Sequence, residues 1–342
     1  MKALLLEEYK KLVVADVPVP DIGEEDLLVR VKACGVCGSD VHGYDGSTGR
    51  RIPPLVMGHE AAGVVERAGA AVAGFVPGDR VTFDSTVFCG SCNYCRRGDV
   101  NLCDNRRVLG VSCGDYRRHG AFAEYVSVPA RISYRLPDSV PFEHAALIEA
   151  LSVAMHAVNR KVPDPDDPVV VIGCGMIGLL ILQVLRANGC KRIVAVDLDR
   201  RRLATAGTLG ADRTIDGATD VVAAVREYTE DRGAAQSFEA VGFSQTVQVA
   251  VRSVRKGGGV TLVGNFKPLV DLPLQDVVTR ELTLFGSCAS KGEYPAAIAL
   301  MERRGVDVAS LISATAPLEE GPQWFERLYR GDEDLMKVIL RP

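Results

Sequence analysis

Aromatic side chains are scarce in this chain: one Trp, nine Tyr and ten Phe among 342 residues, 6% in all. A protein that reads bases by stacking them on rings would need a richer supply. Basic charge is also missing. Forty Lys and Arg stand against 44 Asp and Glu, for a formal net charge of −4, whereas a general binder of nucleic acid or of anionic membranes should be basic. The longest uncharged stretch, 169–185, falls short of the roughly 20 residues of a membrane span, and Gly173, Gly175, Gly178 and Gln183 interrupt it. The opening MKALLLEEYKKLVV turns to charge after a few apolar residues and lacks the shape of a secretory leader. These absences predict a cytoplasmic globular protein with no nucleic-acid or membrane partner. Its length suits about two domains at roughly 150 residues each.

Glycine and cysteine are plentiful, at 34 and ten residues. Many glycines beside few aromatics suit an α/β enzyme with tight turns. Ten cysteines in a reducing compartment need an explanation other than disulfides, and metal is the first candidate. Residues 1–140 read as β-rich, with short runs at 27–33, 62–66 and 80–83 set off by Gly, Pro and Asp. A helical pattern over 142–160 precedes the Pro- and Asp-rich stretch 162–168. Beyond it, strands at 169–172, 192–196, 213–215, 236–240, 259–263 and 282–287 alternate with helices at 176–188, 200–209, 221–228 and 245–254. That alternation predicts a doubly wound parallel sheet. The tail has two more helical stretches, around 295–302 and 324–330.

Cys89, Cys92, Cys95 and Cys103 follow the pattern C-x2-C-x2-C-x7-C. Four thiolates so spaced can wrap one tetrahedral zinc ion with no open position, a structural site. An iron–sulfur cluster is the rival, but ferredoxin spacing ends in a three-residue gap and a Pro. A nucleic-acid zinc ribbon would want paired CxxC knuckles and a basic stripe. A second group of potential ligands is divided between Cys34-Gly-Val-Cys-Gly-Ser-Asp-Val-His42 and Gly58-His-Glu-Ala-Ala-Gly63. Thiolate, imidazole and carboxylate are the donors of an open catalytic zinc. Taken alone, Cys34 and Cys37 could equally form a redox pair. Third, Gly173-Cys-Gly175-Met176-Ile177-Gly178 follows a strand and opens a helix, and Asp197 ends the next strand. This is a dinucleotide fingerprint: a turn, a backbone that approaches the pyrophosphate, a helix packed on the sheet, and a carboxylate for the ribose hydroxyls. The carboxylate favours NAD over NADP.

Together, in this order and over essentially the whole chain, these motifs resemble the zinc-dependent medium-chain dehydrogenase/reductase family. The resemblance implies an α/β chain with a β-rich GroES-like catalytic domain at 1–145, carrying a structural zinc lobe at 86–106. A Rossmann domain follows at 146–288, and 289–342 returns to the catalytic domain. It implies two zinc ions per chain. The catalytic ion would be held by Cys37, His59 and Glu60, with Glu149 ligating directly or through water, and the structural one by the four lobe cysteines. Ala146-Leu-Ile-Glu149 stands where the alcohol dehydrogenases of the family place a cysteine. The glutamate resembles the polyol and threonine dehydrogenase branch. Ser39 and His42 would relay the substrate's proton, and Arg202, Gly242 and Gly264 would join Gly173, Gly175, Met176, Ile177, Gly178 and Asp197 around NAD. The implied reaction moves a hydride between a secondary alcohol (a polyol, sugar alcohol or cyclitol) and NAD, in a homodimer or homotetramer. A phosphorylated polyol is the second reading, because Arg50-Arg51, Arg106-Arg107 and Arg117-Arg118 flank the catalytic segments and Arg forks suit phosphate. An aminocyclitol or other natural-product intermediate is a third. A non-catalytic relative that only binds would usually have lost zinc ligands that this chain keeps.

Overall fold

The computed structural model describes residues 1–113, 116–331 and 335–342. The chain forms two compact units. One comprises Met1–Glu149, Tyr294–Arg303 and Val308–Pro342, the other Ala150–Glu293 and Arg304–Asp307.

The first unit is built on a seven-stranded mixed sheet. Its central strand, Asp26–Gly35, buries Leu27, Leu28, Val29, Val31, Ala33 and Cys34 and turns Arg30 outward. It pairs antiparallel with Glu60–Ala68, Tyr125–Pro129 and Lys337–Arg341. Leu4, Leu6, Phe83, Phe122 and Phe325 fill the core beside it. Register brings three distant segments to one end of this sheet. Gly35 lies opposite Glu60 and also opposite Ile339, two residues beyond Lys337.

The second unit holds a six-stranded sheet in which every pairing is parallel. Its order is Arg213–Asp216, Arg192–Asp197, Pro168–Ile172, Ala234–Glu239, Val254–Leu262 and Thr283–Gly286. Helices cover a parallel sheet on both faces, so its strands are apolar throughout rather than alternating. All five residues of Pro168–Ile172 are buried. Strand order reverses beside that strand, and the crevice at such a reversal is where open α/β sheets bind ligands. The glycine fingerprint leaves this same strand and enters the helix Met176–Ala187. Among the described residues, no helix is long and apolar enough to cross a membrane.

Two expectations need correction. The pattern at 142–160 is two helices, Phe142–Ala145 and Ile148–Asn159. Ala145, Ala146, Leu147 and Ile148 are all fully buried, and four consecutive residues are more than the buried stripe of one helix hides. The tail contains its helices, Tyr294–Glu302 and Gly321–Arg330, but also two strands, Ile312–Pro317 and Lys337–Arg341, that join the first unit's sheet.

A Cβ on Gly178 would lie 1.7 Å from the Gly173 carbonyl oxygen, and backbone cannot step aside as a flexible side chain can. Gly178→Ala should therefore cost the second unit about 3 kcal/mol through overpacking, read as a lower urea midpoint. Gly175→Ala, where a Cβ meets nothing within 4 Å, should leave that midpoint unchanged.

Candidate active site

In the first unit, ligand atoms of Cys37, His59 and Glu60 all lie within 4.8 Å of one another. Cys37 precedes the short helix Gly38–Gly43, and Asp40 in its first turn accepts a hydrogen bond from the Cys37 amide at 3.4 Å. His59 and Glu60 sit at the head of the strand Glu60–Ala68 and are 6% and 2% exposed. Asp40 is completely buried. Its Oδ1 accepts from Arg51 Nη2 at 3.0 Å and lies 3.3 Å from His59 Nδ1. Burial alone would raise the Asp40 carboxyl, but the charges of His59 and Arg51 outweigh it and hold it at about 2. Burial likewise opposes charge on His59, and Asp40 and Cys37 overcome it, raising His59 well above its ordinary value.

Sequence reasoning missed Lys337. It is 2% exposed, and its ammonium donates to Glu60 Oε2 at 2.5 Å and to the Val36 carbonyl at 3.1 Å. Burial works to lower its pKa, and the charges of Glu60, Cys37 and Glu149 raise it further than burial lowers it. Glu149 is buried too, and accepts from Ser85 Oγ at 2.9 Å. It is not one of the three converging donors. Burial raises its carboxyl, with His59 opposing and Glu60 reinforcing the shift. Ser39 and His42 share the exposed side of the helix Gly38–Gly43, three residues apart. The Ser39 hydroxyl donates to Cys37 Sγ and accepts from Arg51 Nη2, both at 3.3 Å.

The four lobe cysteines also converge within 4.8 Å. Sγ–Sγ separations are 4.0 Å for Cys89–Cys95 and 3.5 Å for Cys92–Cys95, which bracket the roughly 3.8 Å edge of a tetrahedron with zinc–sulfur bonds of about 2.3 Å. Hydrogen bonds from Ser91 and Cys92 pull the Cys89 thiol down to about 5, while burial and the neighbouring thiols push Cys95 up to about 12. A cation among them would let all four ionise.

In the second unit, Gly173 stands at the end of Pro168–Ile172, Gly175 caps the helix that Met176, Ile177 and Gly178 open, and Asp197 ends the neighbouring strand. Asp197 is held by two amides, Cys174 at 2.6 Å and Asp199 at 2.8 Å. Arg200 is 3.6 Å from Asp216 and Arg201 3.2 Å from Asp199, whereas the buried Nε of Arg202 has no hydrogen-bond partner among the described residues. Gly242 and Gly264 follow the ends of Ala234–Glu239 and Val254–Leu262. A second residue missed from sequence lies between them. Glu239, fully buried, accepts from the Val241 and Gly242 amides and from Thr246 Oγ1.

Known proteins resemble this chain over its whole length. Residues 23–138 match the alcohol dehydrogenase GroES-like domain and 177–303 the zinc-binding dehydrogenase domain. The chain is 32% identical to sorbitol dehydrogenase of Bacillus subtilis (strain 168), covering 100% of this chain and 97% of that protein. It is 36% identical to L-idonate 5-dehydrogenase of Vitis vinifera, covering 92% and 87%. A zinc-binding dehydrogenase of Sinorhizobium meliloti 1021, solved bound to NADP, superposes with a TM-score of 0.92 at 32% identity, covering 100% and 99%. The chain belongs to the zinc-binding alcohol dehydrogenase family.

The chemistry of each donor set fits the ion that this family's name implies. One thiolate, one imidazole and one carboxylate leave a tetrahedral ion a free position, and Asp40 on the Nδ1 side of His59 leaves Nε2 to face it. The lobe offers four thiolates and no free position. The dehydrogenase should therefore carry about two zinc ions per chain by elemental analysis. Cys37→Ser should carry one, with the far-UV spectrum kept and activity gone. A single zinc in the unsubstituted protein, lost on Cys37→Ser, would count against the lobe site.

Proposed function

We propose that this dehydrogenase oxidises a secondary alcohol of the polyol or cyclitol class, using NAD. The convergence of Cys37, His59 and Glu60 carries the reading. Zinc held there would supply Lewis acidity, lowering the pKa of an alcohol proton as it lowers that of water. NAD, held at the fingerprint, would accept the hydride from the carbinol carbon, leaving ketone, NADH and a proton. The chain's own groups handle that proton. Ser39 Oγ accepts it while its own hydroxyl proton, turned away from Cys37 Sγ, leaves toward His42 on the same helical side, which hands a proton on to solvent. Asp40 meanwhile keeps His59 oriented, and Lys337 keeps one oxygen of Glu60 engaged.

A neutral substrate is favoured over a phosphorylated one. Arg51 is buried against Asp40, and Arg106, Arg117 and Arg118 each donate to a main-chain carbonyl, of Asn101, Pro53 and Ser127. Of these, Arg51 is taken up by Asp40 and Ser39 and is not free to fork a phosphate. That the described cysteines form no disulfide suits a reducing, cytoplasmic setting. NAD reduction across sugar alcohols, cyclitols, aminocyclitols, diols, threonine and polyol phosphates tests the reading. Turnover confined to the phosphates would contradict the preference, and no turnover with any alcohol would contradict the activity.

The NAD preference rests on charge. Asp197 lies where the adenosine ribose should bind, and its register partner across the sheet is a second acid, Asp216. A 2′-phosphate carrying nearly two negative charges would meet both at short range, where salt screens poorly. The relative bound to NADP has the same fold, so the preference belongs to these strand ends. We expect NAD to be favoured by at least about 1.4 kcal/mol, tenfold in kcat/KM. Asp197→Ala should narrow that ratio by leaving Arg202 without a competing carboxylate, and equal use of both cofactors by the unsubstituted enzyme would sink the assignment.

Assembly is the last part of the reading. Thr283–Gly286 is an edge strand, and the segment before it exposes Leu269, Leu272, Leu274 and Val278. An unprotected apolar edge invites pairing with a second copy. Light scattering at micromolar concentration should give a dimer or tetramer, and a monomer would reject this.

A further inference from the structure

Arg51 reads in the sequence as one of two adjacent loop arginines, yet it is 4% exposed. Its guanidinium makes two bonds to Asp40 Oδ1, from Nη2 at 3.0 Å and Nε at 3.3 Å, a third from Nη2 to Ser39 Oγ at 3.3 Å, and a fourth from Nη1 to the Arg50 carbonyl at 3.1 Å. The fold makes room for it. A Cβ on Gly43 would come within 2.3 Å of Arg51 Cγ and 3.1 Å of its Cβ, so the stem of Arg51 occupies the space that a side chain at position 43 would take.

Both residues it grips touch prospective metal ligands. Asp40 accepts from the Cys37 amide and faces His59 Nδ1, and Ser39 donates to Cys37 Sγ. Arg51 itself is none of the converging donors. We propose that Arg51 is a positioning residue for the catalytic centre: its buried fork clamps Asp40 and Ser39 together, and through them fixes the His59 ring and the Ser39 hydroxyl. The inference rests on the zinc alcohol-oxidation reading above. A buried carboxylate without its partner is strongly destabilised, so loss of the fork should let Asp40 swing toward other donors and leave His59 unaligned. Groups that orient a metal-bound histidine typically change metal affinity or activity by about 10–100-fold when removed. Lysine would not replace the fork, because a single ammonium cannot reproduce its planar two-pronged geometry.

The test follows zinc release from the holoenzyme into excess 4-(2-pyridylazo)resorcinol, together with steady-state kinetics. The unsubstituted enzyme should release zinc in two phases, and Cys37→Ser identifies the catalytic one by its absence. Arg51→Met should speed that phase about 10–100-fold, leave the lobe phase alone, and lower kcat by a similar factor with KM little changed. Arg51→Lys should fall between. Gly43→Ala keeps the charge but displaces the stem, so it should shift the same phase and no other. It serves as the test if Arg51→Met does not fold. In an Asp40→Asn background, Arg51→Met should add less than threefold, because its effect runs through Asp40. Catalytic-phase release and kcat unchanged in both Arg51→Met and Gly43→Ala would overturn the proposal. So would equal acceleration of both phases, the mark of a merely structural role. Zinc found only in the lobe of the unsubstituted enzyme would overturn the zinc reading itself and Arg51's role with it.

Discussion

Buried charge must be balanced, and the catalytic unit is organised around one place where side chains alone do not balance it. Asp40, Glu60, Glu149 and the Cys37 thiol gather at one end of the mixed sheet. When all four are ionised, Arg51 and Lys337 supply only half of the opposing charge. A divalent cation would supply the rest. The surrounding groups shift accordingly: Asp40 and Cys37 overcome burial and raise His59, while burial, reinforced by Glu60, pushes Glu149 toward its neutral form. A site that binds protons this firmly also attracts a metal ion, which takes their place as it binds.

The fold meets that constraint with segments far apart in the chain. The loop before Gly38–Gly43 brings the thiolate, the head of Glu60–Ala68 brings the imidazole and a carboxylate, and the last strand brings the ammonium. Sheet register, through Gly35 opposite Glu60 and Ile339, makes these meet. The C-terminal strand is thus part of the site's chemistry as well as of its sheet. The second unit solves a different electrostatic problem. It presents a helix N-terminus, the kind of site that suits phosphates, and fixes Asp197 with two backbone amides, leaving its carboxylate little freedom to move away.

Local patterns made most of this legible in the sequence. The parallel sheet was readable because short apolar runs alternate along the chain with stretches of helical spacing. The two clusters of potential metal ligands and the glycine-rich turn were readable because their residues lie close together in the chain and few other functions use such spacing. Lys337, Ser85 and Glu239 were not. Each is a polar residue in or beside a short strand, and nothing local separates a lysine at a strand start that reaches solvent from one that turns inward to a carboxylate. The tail strands were missed for a related reason, since Lys337–Arg341 is too short to show a period. Glu149 was noticed only by resemblance, and its bond to Ser85 depends on a tertiary meeting that no spacing encodes. The same holds for Arg51, which resembled a phosphate-binding loop arginine until its burial against Asp40 was seen.

The most direct test of the charge account is a crystal structure of the zinc-loaded enzyme with anomalous data collected on both sides of the zinc edge. The account predicts one anomalous peak among the lobe sulfurs and a second in bonding range of Cys37, His59 and Glu60. Lys337 should still be paired with Glu60, and Arg51 with Asp40. A second peak bound elsewhere, or a zinc ion at Cys37 with Lys337 expelled to solvent, would contradict it.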